Sequence, residues 1–242
     1  MQYDFSEFFK QYENLVTKVD TMFERIQSEY PQEVACEQGC CDCCYAMFDL
    51  SLVEAMYLNQ KFHEQLSEEQ KSDIYEKANR ADREAYRIKR NMYKEYQKGV
   101  PDDTILEEVG KKRIRCPLLT EDNDCLLYTY RPITCRIYGV PMSIQGEVHT
   151  CTQSRFVKGK QYPAIYMDQI HQKLLQLSHK MVESIPTKHI KLGEVLVPVS
   201  MAILNEYNEE YLGILKSNDK SEDKCESSSD MVWTVPGPQG DN

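Results

Sequence analysis

The first hundred residues repeat apolar positions at spacings of three and four, which is typical of amphipathic helices. One such run covers residues 5–30 and ends before Pro31. Ser51 and Ser67 each open a further run, and each is followed three residues later by Glu or Gln, the pattern of a capping box. The sequence therefore predicts three helices here, of which the third ends near Gly99.

The third predicted helix has a narrow apolar stripe that is rich in alanine, with charged residues almost everywhere else. The stripe consists of Ile74, Ala78, Ala81, Ala85, Ile88 and Met92. Because so narrow a stripe buries little surface, we expect this helix to lie on the surface, or to project and contact a protein partner.

Regular periodicity fades over residues 114–151, where short β-prone pieces alternate with turn residues. A small hairpin is predicted at 144–148, because Gln145-Gly146 suits a tight turn. Helical spacing returns over 167–181, and a last helix is predicted over 199–212.

From residue 216 onward the chain consists mostly of Ser, Asp, Lys, Glu, Pro and Gly. Such a segment has too few apolar residues to form a core, so 216–242 is predicted to be a flexible acidic tail. Residues 1–215 are predicted to form a single domain of the mainly α class. We expect its helices to surround a small irregular β or loop region that holds a cysteine-rich metal core.

Hydrophobic content and net charge argue against a membrane-spanning protein and against a nucleic-acid-binding protein. The 242 residues are 41% hydrophobic and include no apolar run long enough to span a membrane. The net charge of −10 makes nucleic acid an unlikely partner. Residues 1–9 carry no basic and apolar pattern of a secretory signal, so we expect a cytoplasmic protein.

Ten cysteines are the sharpest chemical feature of the chain. The candidate metal ligands are Cys36, Cys40, Cys43 and Cys44 in the segment 36–44, and Cys116, Cys125, Cys135 and Cys151 in the segment 116–151. In a reducing compartment such clusters bind metal more often than they form disulfides, although an exported disulfide protein is the alternative. Cys41 and Cys225 fit better as ordinary thiols outside the site.

The cysteine pattern resembles that of a known family. Cys36 precedes the run Cys40-Cys-Asp-Cys-Cys44, and Cys116-Pro-Leu-Leu, Cys125-Leu-Leu-Tyr and Arg131-Pro-Ile-Thr-Cys-Arg136 follow in order. This arrangement resembles the YkgJ-like cysteine-cluster family of zinc- or iron-chelating proteins, and flagellin lysine N-methylases carry a similar cluster. The resemblance covers residues 36–151 and implies metal binding by the seven cysteines that match the family pattern, namely Cys36, Cys40, Cys43, Cys44, Cys116, Cys125 and Cys135. Cys151 would complete a set of eight. Cys41 departs from the family pattern, because the family usually has glycine there.

Tight groups of thiolates suit zinc or an iron–sulfur cluster, and eight ligands would divide into two sites of four. Two zinc ions with eight thiolates would carry a charge of about −4, which needs compensation when buried. Basic residues flank the second cysteine group: Lys111, Lys112, Arg113, Arg115, Arg131 and Arg136. They are expected to offset that charge, to form a solvated basic face, or to dock an acidic partner or phosphate.

Several other interpretations stay open. The spacing of Cys36, Cys40 and Cys43 also fits the radical S-adenosylmethionine motif, but no alternating strand–helix series follows it. His149 could replace a thiolate in a zinc site. The sequence predicts a metal-binding protein; the alternatives are an iron–sulfur or zinc-dependent protein-modifying enzyme that resembles the methylases, or a metal carrier or sensor. Catalytic activity is left open.

Overall fold

In a computed structural model, which describes residues 3–215 without the side chains of residues 103 and 106, the chain is mainly helical. The helices of this range are α1 (Ser6–Glu29), α2 (Leu52–Gln65), α3 (Glu68–Gln97), α4 (Asp102–Gly110), α5 (Ile133–Ile137), α6 (Met167–Glu183) and α7 (Val199–Leu204). The strands are β1 (Asp49–Ser51), β2 (Met142–Ile144), β3 (Glu147–His149), β4 (Ile165–Tyr166) and β5 (Leu196–Pro198). The predicted mainly α class is confirmed, whereas the predicted tail 216–242 lies outside the described residues.

Helix α2 forms the centre of the hydrophobic core. It packs against α1, α6 and α7, so its side chains are covered on nearly every side. Leu52, Val53 and Phe62 have no exposed surface, and Leu58 is 1% exposed. A helix in such a position is expected to be mostly apolar where it is covered, and Glu54 and Asn59 are the buried polar exceptions.

Both predicted capping boxes are present. The hydroxyl of Ser67 accepts a hydrogen bond from the backbone N–H of Gln70 (3.3 Å), and the Gln70 side chain accepts one from the N–H of Ser67 (3.0 Å). Ser51 and Glu54 form the same reciprocal pair at the start of α2. These bonds satisfy N–H groups that the first turn of each helix leaves free.

The strands form two small sheets. β1 pairs with β5 in antiparallel fashion, and β2 lies between antiparallel β3 and parallel β4. The predicted hairpin joins β2 to β3, with Gln145 at φ 52° and Gly146 at φ 85°. Two successive residues with positive φ are what a two-residue hairpin turn requires.

Two features differ from the sequence-based expectations. Helix α7 ends at Leu204, well before the predicted end at 212, because the chain continues in turns that still bury Tyr207 and Leu212. The apolar spacing there reflects burial and not helical backbone. Helix α5 was not predicted, since five residues are too few to show a helical period.

Helix α3 is buried on one side as far as Ala85. Ile74, Ala78, Ala81 and Ala85 are buried, and the side chains after Ala85 are exposed or partly exposed. α4 packs against α3, whose surface position is as predicted. Within residues 3–215, every helix is too short or too polar to cross a bilayer.

Candidate metal centre

The first segment of the site is the loop that connects α1 to β1. Gly39 adopts φ 89°, a left-handed conformation that glycine tolerates best, and the N–H of Cys40 donates to the carbonyl of Glu37 (3.1 Å). A short 3₁₀ turn over Asp42–Tyr45 follows. This turn places Cys43 and Cys44 next to each other at the edge of the core.

The second segment pairs directly with that turn. The N–H of Cys116 donates to the carbonyl of Cys44 (2.7 Å), and the N–H of Ile114 donates to the carbonyl of Tyr45 (3.0 Å). Beyond Cys116 the chain turns back, so that Leu119 bridges to Cys125. Backbone pairing therefore holds Cys116 and Cys125 beside the first segment.

The third segment is α5, which carries Cys135. The buried carboxylate of Glu54 caps this helix, because its Oε1 accepts from the N–H of Ile133 (3.2 Å). Its Oε2 also accepts from the N–H (3.2 Å) and the hydroxyl (3.0 Å) of Ser51. One side chain thus connects the first turn of α2 to the short helix that orients Cys135.

Seven of the eight predicted ligands form a connected group of thiols. Each member interacts electrostatically with at least one other: Cys36, Cys40, Cys43, Cys44, Cys116, Cys125 and Cys135. Cys43 lies at the centre, because its charge raises the pKa of Cys36, Cys44, Cys116, Cys125 and Cys135. The sequence segments 36–44 and 116–135 therefore converge.

Burial and mutual repulsion oppose ionisation of most of these thiols. Burial raises the pKa of Cys36 to about 11 and that of Cys116 to about 12. Interaction with Cys43 raises the pKa of Cys44 and of Cys135. The same interactions lower the pKa of Cys43.

Cys151 borders this group, because it lines one small cavity together with Cys36, Cys40 and Cys43. Its sulfur donates to the carboxylate Oδ2 of Asp42 (3.0 Å), and burial followed by this bond raises its pKa to about 12. Arg113 binds the other oxygen of Asp42 (2.5 Å), and the Thr152 hydroxyl also donates to Oδ2 (3.3 Å). The predicted ligand Cys151 is thus held by a carboxylate that the sequence did not single out.

Two of the flanking arginines lie close to the thiols. The positive charge of Arg131 lowers the pKa of Cys36, Cys43 and Cys125, whereas burial raises the pKa of each. The charge of Arg115 likewise lowers the pKa of Cys116. The guanidinium of Arg131 also stacks on the ring of Tyr128, with 3.5 Å between its carbon and the ring centroid. These arginines lie where they could offset the negative charge of metal-bound thiolates.

The other basic residues of the cluster have different partners. Arg136 pairs with Asp20 (2.8 Å) and donates to the carbonyls of Thr129 and Arg131, so it supports the loop that carries Arg131. Lys111 pairs with glutamates of α4 on the surface, and Lys112 is exposed.

Gly139 permits the close approach of Cys36. A Cβ atom at Gly139 would lie 2.2 Å from the Cβ of Cys36 and 3.0 Å from its sulfur. Neither distance allows an ordinary van der Waals contact. A glycine after α5 is therefore required for Cys36 to reach the other thiols, a role that its sequence context does not reveal.

Other predicted or excluded ligands lie apart from the group. His149 is exposed on β3, whose three residues all face solvent. Cys41 is partly exposed. Cys225 lies outside the described residues. The nine cysteines of the described range are all free thiols.

The donor chemistry of the group fits a soft or borderline metal ion, because sulfur ligands dominate it. The side chains do not yet surround a common point: among residues 3–215, no three Cys, His, Asp or Glu side chains are arranged so that they could share one ion. Coordination would therefore require rotation of the thiol side chains.

Comparisons with protein-family models, with curated proteins and with solved structures found no match to this chain. The arrangement of its own side chains is therefore the basis for assigning a function.

Proposed function

We propose that this protein binds zinc or an iron–sulfur cluster through the thiolates of the connected cysteine group. The observation that carries the proposal is the convergence of thiols from two distant segments on Cys43. The ligands would come from Cys36, Cys40, Cys43, Cys44, Cys116, Cys125 and Cys135. The resemblance to YkgJ-like proteins, found in the sequence, favours the same assignment.

The reason is electrostatic. Buried thiols crowd each other, and most of them resist ionisation without a compensating cation. A bound divalent metal replaces their protons and converts repulsion into coordination. In small zinc proteins this is worth about 10–16 kcal/mol of folding free energy. Here a metal would fasten irregular loops to a helical body, so the first role that we propose is structural.

A cavity beside the thiol group favours a metal ion that could be passed to another protein or react with a small ligand. A cavity of about 60 Å³ adjoins the thiol group and is lined by Cys43 and Cys116 together with apolar residues of α3 and of the loop before β1. This space admits a few water molecules or a small ligand. An accessible face of the metal would suit a carrier or sensor, or the protein-modifying enzyme considered above.

The test is purification of the protein without oxygen, followed by its absorption spectrum and its metal and acid-labile sulfide content. An iron–sulfur cluster would give a brown protein with stoichiometric iron and sulfide. Zinc would give a colourless protein with stoichiometric metal. Protein that contains neither metal and whose cysteines all titrate as free thiols would overturn the proposal.

Single serine variants test the ligand assignment. Cys135→Ser and Cys116→Ser should lower the metal content, because each removes a sulfur from the group. Cys41→Ser, in the loop that also carries Cys43 and Cys44, is the control and should retain the metal. Cys151→Ser should also retain it, since Asp42 binds that thiol. Loss of metal in Cys151→Ser but not in Cys135→Ser would contradict the assignment.

A further inference from the structure

A second candidate site lies between the exposed half of α3 and α4. The two helices and the turn between them border a groove with a volume of about 630 Å³, in the range of sites that bind a few side chains. Its apolar wall consists of Ile88, Met92, Val100, Ile105 and Val109. We name this surface the α3–α4 groove. Exposed apolar surfaces of this kind mark binding sites for ligands or protein segments.

The groove lies in a basic part of an acidic protein. Residues 80–115 contain eleven Lys and Arg against seven Asp and Glu, a net charge of +4, whereas the whole chain carries −10. Arg87 and Lys112 line the groove together with Glu84, Glu95 and Glu108, and Lys98 and Lys111 pair with the last two of these glutamates. The charge pattern favours an occupant that joins an acidic stretch to a short apolar one.

One segment of the chain has this composition. Residues 216–242 contain six Asp and Glu against three Lys, a net charge of −3. Within them, Met231-Val-Trp-Thr-Val235 is the one apolar block, and five of the six acidic residues precede it. We propose that this block, residues 231–235, binds in the α3–α4 groove, with the acidic residues before it lying along the basic second half of α3.

The extended segment is longer than helix α3. Its starting point is fixed by Leu215, whose N–H donates to the carbonyl of Pro186 (2.8 Å). Fifteen residues lie between Leu215 and Met231, so the connection can span about 50 Å when extended. Helix α3, with 30 residues, is about 45 Å long, and α7 packs against it.

Covalent connection strengthens the binding of such a segment. A tethered peptide has an effective concentration in the millimolar range, so a weak contact suffices to keep the groove filled. A free partner protein would need several kcal/mol of additional affinity to compete at micromolar concentration. Occupation of the groove by a second copy or by another protein is distinguished by the experiment below.

The position of Trp233 allows a direct test, because it is the only tryptophan of the chain. Its fluorescence in the full-length protein reports on the segment alone. Bound in the groove, Trp233 should emit at shorter wavelength than in denaturant, and acrylamide should quench it several-fold less. Met92→Glu, which places a charge in the groove, should raise quenching at least about twofold. Met22→Glu on α1 is the matched control and should leave it unchanged.

Two further measurements make the outcome decisive. Arg87→Glu keeps the apolar wall and reverses one charge of the groove, so it should also raise acrylamide quenching of Trp233. High salt should have the same effect, because it screens the attraction between the acidic segment and the basic residues. Circular dichroism checks that each variant retains its helices. Quenching in the native protein equal to that in denaturant overturns the proposal. Protection that disappears on tenfold dilution also overturns it, because a second copy would then be the occupant. Metal content plays no part in either readout.

Discussion

The side chain of Glu54 allows a quantitative test of how the site is built. It is 4% exposed and caps two helices at once, α2 through Ser51 and α5 through Ile133. Replacing it by alanine removes three hydrogen bonds and leaves the N–H groups of Ser51 and Ile133 buried without a partner.

An unpaired buried donor costs about 1–3 kcal/mol. Glu54→Ala should therefore lower the free energy of unfolding by about 3–5 kcal/mol. Glu54→Gln retains one carbonyl oxygen that can accept from Ile133, but it turns an NH₂ group toward Ser51. We expect it to cost about 1–2 kcal/mol, clearly less than alanine.

The same residue gives a pH dependence of defined sign. Burial raises the pKa of Glu54 above 4.5, although hydrogen bonds from Ile133 and Ser51 oppose the shift. As the pH falls from neutral toward this raised pKa, the folded protein takes up a proton before the unfolded chain does. Its contribution to the free energy of unfolding therefore rises on acidification and falls again as the pH increases, with a slope of at most about 1.4 kcal/mol per pH unit.

Urea denaturation of reduced, metal-free protein between pH 5 and pH 8 measures both effects. Glu54→Gln should lack the part of the slope that the carboxyl group contributes. Glu76→Ala, an exposed position in the middle of α3, is the control and should change stability by less than about 0.5 kcal/mol. If Glu54→Ala lost less than about 1 kcal/mol, the capping role would be refuted. If the stability of Glu54→Gln depended more steeply on pH than that of the wild type, the raised pKa would be refuted.

The remaining predictions concern backbone positions. Gly139→Ala should destabilise the protein by about 1–3 kcal/mol and expose Cys36 to thiol reagents, because the new Cβ would overlap that side chain. Gly110→Ala is the control and should be neutral or slightly stabilising, because no atom lies within 4 Å of its new Cβ. Equal effects of the two substitutions would contradict the packing argument. Ser67→Ala should lower the free energy of unfolding by about 1 kcal/mol in thermal denaturation, since it removes the cap of Gln70, and an unchanged midpoint would show that the capping box is dispensable.

Local signals in the sequence were sufficient for the long helices. The bounds of α1, the two capping boxes and the β2–β3 hairpin follow from residues close together in the chain, because helical period, capping and turn formation depend on neighbours within about four residues. The same reasoning failed for α5 and for the end of α7. A five-residue helix has no period to detect, and turns can bury apolar residues at helical spacing.

The sequence by itself determined which residues could form a metal site, because only the cysteine spacing is needed to recognise soft ligands in two groups. The tertiary structure decided which of them meet. It joined Cys43 to Cys135 through the pairing of Cys44 with Cys116 and the capping of α5, and it directed Cys151 to Asp42. These contacts link residues far apart in the chain, and their geometry depends on how α2 packs in the core. Spacing along the chain carries no information about such distances.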